Sequence, residues 1–63
     1  MLVKIIKYSE NNLFGNWYKN LIGEEFEVVS GMGFYMIEDK NSLYHWKYIT
    51  MDDCEIVYKG FIM

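Results

Sequence analysis

The 63-residue sequence has one cysteine, Cys54, and no proline, alanine or arginine. One cysteine excludes a disulfide within the chain, and with the single histidine, His45, it falls short of the three or four ligands of a Cys/His zinc site. No run approaches the ~20 apolar residues of a membrane-spanning helix, and residues 1–7 do not have the pattern of a signal peptide. A lone free cysteine fits a reducing compartment, so we expect a cytoplasmic protein with no membrane partner.

The charge is mildly acidic, at −3, and all six basic residues are lysines spread along the chain. Proteins that bind phosphates or read bases typically use arginine forks and a basic face. The sequence therefore argues against nucleic-acid binding. The alternative is stacking of bases on exposed rings, aided by the lysines Lys4, Lys7, Lys19 and Lys47.

What the chain has in abundance is hydrophobic residues, at 52%, and aromatic residues, at 19%. This composition is far from that of a disordered segment, and rings with β-branched residues favour strands over helices. A chain of this length forms one domain, over residues 1–63, with a thin core that buries only ~60% of the surface of the unfolded chain. We expect good packing or self-association to supply the missing stability.

Five segments have the residue pattern of strands, namely 2–8, 24–29, 34–38, 43–49 and 55–59. In the second strand Phe26 and Val28 are expected to face inward. In the fourth strand Tyr44, Trp46 and Tyr48 share one face, and either this face or the one with His45 and Lys47 lies in the core.

The segments between the strands are rich in turn-forming residues. Residues 13–23 have no sustained period and predict an irregular loop with one turn of helix. The glycines of the Gly31-Met32-Gly33 turn supply positive φ where it is needed. Thr50 is expected to cap a short helical turn over residues 50–54.

This order of elements resembles Src-homology-3-like (SH3-like) barrels, with a long first loop and a short helical turn before the last strand. Three segments also resemble small proteins of bacteriophages and prophages: Val3-Lys4-Ile5-Ile6-Lys7, Ile22-Gly23-Glu24-Glu25-Phe26-Glu27-Val28 and Asp52-Asp53-Cys54-Glu55-Ile56-Val57. The resemblance implies an all-β fold, a small five-stranded SH3-like barrel closed on itself. It does not imply recognition of proline-rich peptides, because the proline and the acidic run of such domains are missing.

Twelve aromatic residues are more than so thin a core can shelter, so some rings are expected on the surface. Tyrosine and tryptophan dominate interface hot spots, and loops carry binding residues most often. We expect Trp17, Tyr18 and Tyr35 to be exposed. The full set of candidate partner-binding residues is Trp17, Tyr18, Tyr35, Tyr44, Trp46 and Tyr48.

No residue pattern predicts catalysis, a cofactor or a metal site. Asp52 and Asp53, with Glu55 nearby, suit the amino end of a helical turn better than a cation site. His45 has no nucleophile or carboxylate near it in sequence to work with as a general base. Cys54 has acidic neighbours, which disfavour a reactive thiolate, so an inert thiol is expected.

The sequence thus favours a non-enzymatic interaction module, encoded by a phage or prophage, that binds a protein of the host cell through exposed aromatic residues. An inhibitor of a host or defence enzyme is one such role, and a homodimer would relieve the thin core. The alternatives are a nucleic-acid-binding small barrel and a structural component of the virion.

Overall fold

The computed structural model describes residues 1–58, which form five strands and one turn of 3-10 helix. The elements are β1 Leu2–Ile5, β2 Glu25–Ser30, β3 Phe34–Ile37, β4 Tyr48–Thr50, the 3-10 turn Met51–Asp53 and β5 Cys54–Ile56. All five strands belong to one antiparallel sheet in the order β4-β3-β2-β1-β5. The all-β fold class is confirmed. The described residues contain no helix of the length and apolar character that crossing a membrane requires.

β2 joins the two parts of the sheet, because it has different partners along its length. Its first half, 25–27, pairs with β1, and its second half, 28–30, pairs with β3. The edge strands β4 and β5 are not paired with each other in residues 1–58, so the sheet is open. The predicted closure into a barrel is not found.

The core lies on one face of this sheet and follows the alternation of its strands. The buried hydrophobic residues are Val3, Ile5, Tyr18, Val28, Tyr35, Ile37 and Ile49. Val28 is buried and Phe26 is packed against this cluster, as the sequence predicts. Tyr18 comes from the long first loop, which folds over the open face of the sheet and completes the core.

The predicted strand 43–49 is wrong over most of its length. Residues 39–46 form turns, in which the Asn41 N–H binds the Asp39 carboxylate at 2.9 Å and the Tyr44 N–H binds the Ser42 hydroxyl at 3.0 Å. Such side chains offer the backbone an alternative to sheet pairing. Only the last part of the segment joins the sheet, as β4, so the shared face predicted for Tyr44, Trp46 and Tyr48 does not exist.

The helical turn before the last strand is confirmed, but its predicted cap is not. Thr50 precedes the turn without a hydrogen bond from its side chain to the backbone. β1 ends at Ile5 rather than at residue 8, since the next two N–H groups both point to the Asp53 carbonyl oxygen. β5 ends at Ile56, and Lys59 of the predicted strand lies outside the described residues.

Candidate functional site

The position of the long first loop, residues 6–24, is set by one buried carboxylate. Asp53 is fully buried and accepts hydrogen bonds from the Ser9 N–H at 3.0 Å, the Ser9 hydroxyl at 2.5 Å and the Tyr18 hydroxyl at 2.5 Å. Burial alone would raise the pKa of the Asp53 carboxyl, but the bonds from Ser9 and Tyr18 outweigh it and hold this pKa below its usual value. The carboxylate therefore stays charged and fixes the loop to the 3-10 turn.

The segment between these two anchor points is turned outward by Asn12. Its side-chain NH2 donates to the Ser9 carbonyl at 2.6 Å, and its side-chain oxygen accepts from the Phe14 N–H at 2.7 Å. With the Asn12 side chain held at both ends, the adjacent Leu13 is left 90% exposed. The loop thus presents an apolar side chain to solvent from a well-defined backbone.

A groove of about 520 Å³ opens between this loop and the turn joining β2 to β3. Leu13 stands on the loop side, and Met32, which is 95% exposed, stands on the opposite turn. No charged residue lines this groove, whose lining residues are Asn11, Asn12, Leu13, Phe14, Met32, Gly33, Phe34 and Thr50. The surface is therefore mainly apolar, with a few uncharged polar groups that can fix the orientation of a ligand.

Three rings pack together at the groove. Phe14 and Phe34 have ring centroids 5.7 Å apart, and the Tyr48 ring centroid lies 5.5 Å from that of Phe14 and 5.1 Å from that of Phe34. These distances and inclined ring planes are those of favourable aromatic contacts. Gly31 makes room for the cluster, since a Cβ atom there would lie 2.4 Å from the Phe34 ring. The groove wall is thus ordered before any ligand arrives.

The six aromatic residues predicted to bind a partner are dispersed in the structure. The expected exposure of Tyr18 and Tyr35 is wrong, since they are 0% and 7% exposed. The Tyr18 ring fills the core while its hydroxyl reaches Asp53, and Tyr35 is on the inward face of β3 beside Ile37. We therefore leave both residues out of the candidate site.

Trp17 and Tyr44 are half-buried and pack on each other, with ring centroids 5.1 Å apart. The Trp17 indole N–H also donates to the Tyr48 carbonyl oxygen at 2.8 Å. Trp17 thereby covers a backbone carbonyl of the edge strand β4 that points away from the sheet. This contact protects the edge from pairing with another strand. The expectation of an exposed Trp17 ring is wrong.

Trp46 and Tyr48 are exposed, by 63% and 41%. Trp46 stacks on His45 at 4.3 Å and has a φ of 75°, a left-handed conformation that is uncommon outside glycine. Tyr48 touches the groove rings, and it is the one member of the predicted set that does so among the described ring contacts. These two exposed rings agree with the expectation that the chain has more aromatic rings than its core can bury.

The main groove residues were missed at the level of sequence: Leu13, Phe14, Met32 and Phe34. A signal for them exists. Leu13-Phe14 lies between asparagines and a glycine, and Met32 lies between two glycines. Large apolar side chains placed within turn-forming sequence are hard to bury, because loops run over the surface.

The chemistry available elsewhere is limited. No group of three or more metal-ligating side chains occurs in the part of the chain that the structure describes. Burial, and then the charge of the adjacent Asp53, raises the pKa of the Cys54 thiol to about 12, so this half-buried thiol is protonated at neutral pH, in line with the inert thiol expected.

Comparison with protein-family models, with curated proteins and with solved structures finds no match to this chain. The resemblance to SH3-like barrels therefore rests on the predicted order of elements, and that to phage proteins rests on the three sequence segments named above. Both stay predictions.

Proposed function

We propose that this chain is a non-enzymatic interaction module that binds a protein partner in the groove between the first loop and the β2–β3 turn. The observation that carries the proposal is the pair Leu13 and Met32, which are 90% and 95% exposed on the two sides of an apolar groove. Contiguous exposed apolar surface in a soluble domain marks interaction sites. The prepacked rings of Phe14 and Phe34 reduce the entropy that binding would cost.

The groove suits an apolar side chain carried on a loop or extended segment of the partner. Its lining has no charge that would select a charged ligand, while Asn11, Asn12 and Thr50 offer hydrogen bonds at its boundary. A few side chains buried in such a contact carry most of the binding energy. Burial of Leu13 and Met32 would be the main contribution from this chain.

The biological setting we propose follows the sequence resemblance: a phage- or prophage-encoded protein acting in the cytoplasm on a host protein, such as a host or defence enzyme. An SH3-like arrangement is part of the same proposal. It is supported by the long loop after β1 and by the 3-10 turn Met51–Asp53 directly before β5.

The test compares the double variant Leu13→Ser/Met32→Ser with the control Leu43→Ser. Leu43 is 92% exposed in the turn region 39–46, so the control removes one apolar side chain as accessible as Leu13 away from the groove. Proteins captured from host lysate are identified, purified and titrated by calorimetry. We expect the groove variant to bind at least about tenfold more weakly, a loss of roughly 1.4 kcal/mol, and the control to bind like wild type.

Equal binding by the two variants would contradict the proposal. The same titration at low and moderate salt separates the alternatives, because nucleic-acid binding falls steeply with salt whereas an apolar contact does not. Folding of each variant is checked by circular dichroism, so that loss of binding is not confused with unfolding.

A further inference from the structure

The two edge strands of the sheet, β4 and β5, differ in whether their outward backbone groups are hydrogen-bonded. At the β4 edge, the Trp17 indole occupies the outward carbonyl of Tyr48, and Tyr18 of the same loop is buried beside it. At the β5 edge, no loop or side chain of residues 1–58 makes a hydrogen bond to the Ile56 backbone. An uncovered edge strand is a template for pairing with another strand.

The register shows which groups of β5 point outward. The Val57 N–H binds the Leu2 carbonyl at 2.9 Å, and the Ile6 N–H binds the Asp53 carbonyl at 2.8 Å. In an antiparallel pair, hydrogen-bonded residues alternate with non-bonded ones. Glu55, paired with Lys4, therefore bonds to β1, while the N–H and C=O of Ile56 point away from the sheet.

We propose that β5 pairs antiparallel with β5 of a second copy of this chain, with the two-fold axis at Ile56. In this register the Ile56 N–H of each copy donates to the Ile56 carbonyl of the other. Glu55 then lies opposite Val57, and Cys54 lies opposite Tyr58. The same strand serves both copies, as a two-fold symmetric interface requires.

The alternative register, with Cys54 opposite Ile56, is disfavoured by two observations. It places Glu55 directly opposite Glu55 of the other copy, and like charges at that position are destabilising. It also needs the Cys54 N–H as a donor, which already binds the Met51 carbonyl. In the register centred on Ile56, the Cys54 N–H faces the Tyr58 carbonyl at the end of the pairing, so its bond to Met51 leaves the central Ile56 hydrogen bonds intact.

The side chains at this edge fit a second copy. Ile56 is 41% exposed although it lies across from the buried Val3, so it extends the core face of the sheet to its boundary. Pairing would place Ile56 against its counterpart and bring Tyr58, now 84% exposed, over the edge. The stretch 54–58 has neither proline nor lysine, the residues that commonly block edges.

A contact of two short strands is smaller than a standard interface, so the dimer is expected to dissociate in the micromolar range, at about 10–100 µM. The dimer leaves the groove at Leu13 and Met32 open, because that groove involves neither β5 nor its edge. The inference therefore stands independently of the proposed function.

Sedimentation equilibrium of the full chain between about 10 µM and 1 mM tests the proposal. Wild type should shift from the monomer mass towards the dimer mass, and Ile56→Pro should stay monomeric, because proline removes only the outward N–H and edge strands tolerate it there. The control Ile22→Ser, which removes an apolar residue that is 53% exposed elsewhere, should dimerise like wild type. A monomeric wild type at 1 mM, or dimerisation by Ile56→Pro, would overturn the proposal.

A disulfide scan tests the register without relying on that proline. In a Cys54→Ser background, Ile56→Cys should crosslink two copies on oxidation, since Cα atoms of a hydrogen-bonded pair are ~5.5 Å apart, within disulfide range. Tyr58→Cys in the same background faces position 54 of the other copy and should crosslink far less. Equal crosslinking of the two variants would refute the register.

Discussion

Replacing Asp53 by alanine is expected to remove most of the folding stability of this domain. The substitution deletes the carboxylate that accepts three hydrogen bonds, and it leaves the partly buried Ser9 and the buried Tyr18 hydroxyl without this acceptor. Hydrogen bonds to a charged group contribute ~1.5–3 kcal/mol each, and they are not additive. Three such bonds at less than full additivity give a loss of about 3–5 kcal/mol.

That loss is large for so short a chain. At ~0.05–0.15 kcal/mol per residue, 63 residues give a total of about 3–9 kcal/mol. Urea denaturation followed by tryptophan fluorescence measures it, and with a slope of ~1 kcal/mol per molar urea the midpoint should fall by about 3 M or the chain should unfold in buffer. Tyr18→Phe, which deletes one donor and keeps the ring, should lose about 1–3 kcal/mol.

Asp52 provides the matched control, because it is the adjacent carboxylate and is exposed. Asp52→Ala should change the free energy of unfolding by no more than about 0.5 kcal/mol. If Asp53→Ala and Asp52→Ala lowered the urea midpoint equally, the conclusion that Asp53 holds the first loop in place would be refuted.

Three further predictions concern single positions. Gly31→Ala should cost about 1–3 kcal/mol in urea denaturation and shift the NMR signals of Phe34, because the new Cβ would displace that ring; unchanged Phe34 signals would contradict the packing. Trp46→Asn should keep or raise the melting temperature, since asparagine tolerates the left-handed φ of 75°; a clear loss of stability would show that the ring is needed for folding. Burial raises the pKa of Cys54 and that of Tyr18 to about 12 in the folded state, so the unfolded chain loses these protons first. Stability should therefore fall as pH rises above about 9. Cys54→Ser should weaken the earliest part of that alkaline decline, and an unchanged pH profile would refute the role of the thiol.

The strands could be predicted where inward-facing hydrophobic residues alternate with outward-facing residues and one face of the strand is buried. Val3 and Ile5 follow a period of two with Lys4 between them, and in β2 Phe26 and Val28 follow the same period with Glu27 between them. The sequence also located the turn before β5. Local pattern sufficed here because each of these residues is placed by its own strand.

Prediction failed where side chains compete with the backbone or act over long distances. Asp39 and Ser42 turn the chain where alternation had indicated a strand. The burial of Tyr18 depends on Asp53, which lies 35 residues away in sequence. The groove likewise depends on two loops that are distant in sequence, and no local sequence pattern predicts that they lie side by side. Composition therefore predicted that some rings are exposed, but not which ones.

NMR can show whether this chain meets its partner in the groove. Amide resonances of the labelled chain would be followed as a purified partner, captured by the wild-type protein, is added. We expect shifts concentrated at 11–14, 32–34 and Thr50, which line the groove. Shifts confined to other surfaces, such as the exposed turn with Leu43 and Trp46, would contradict it.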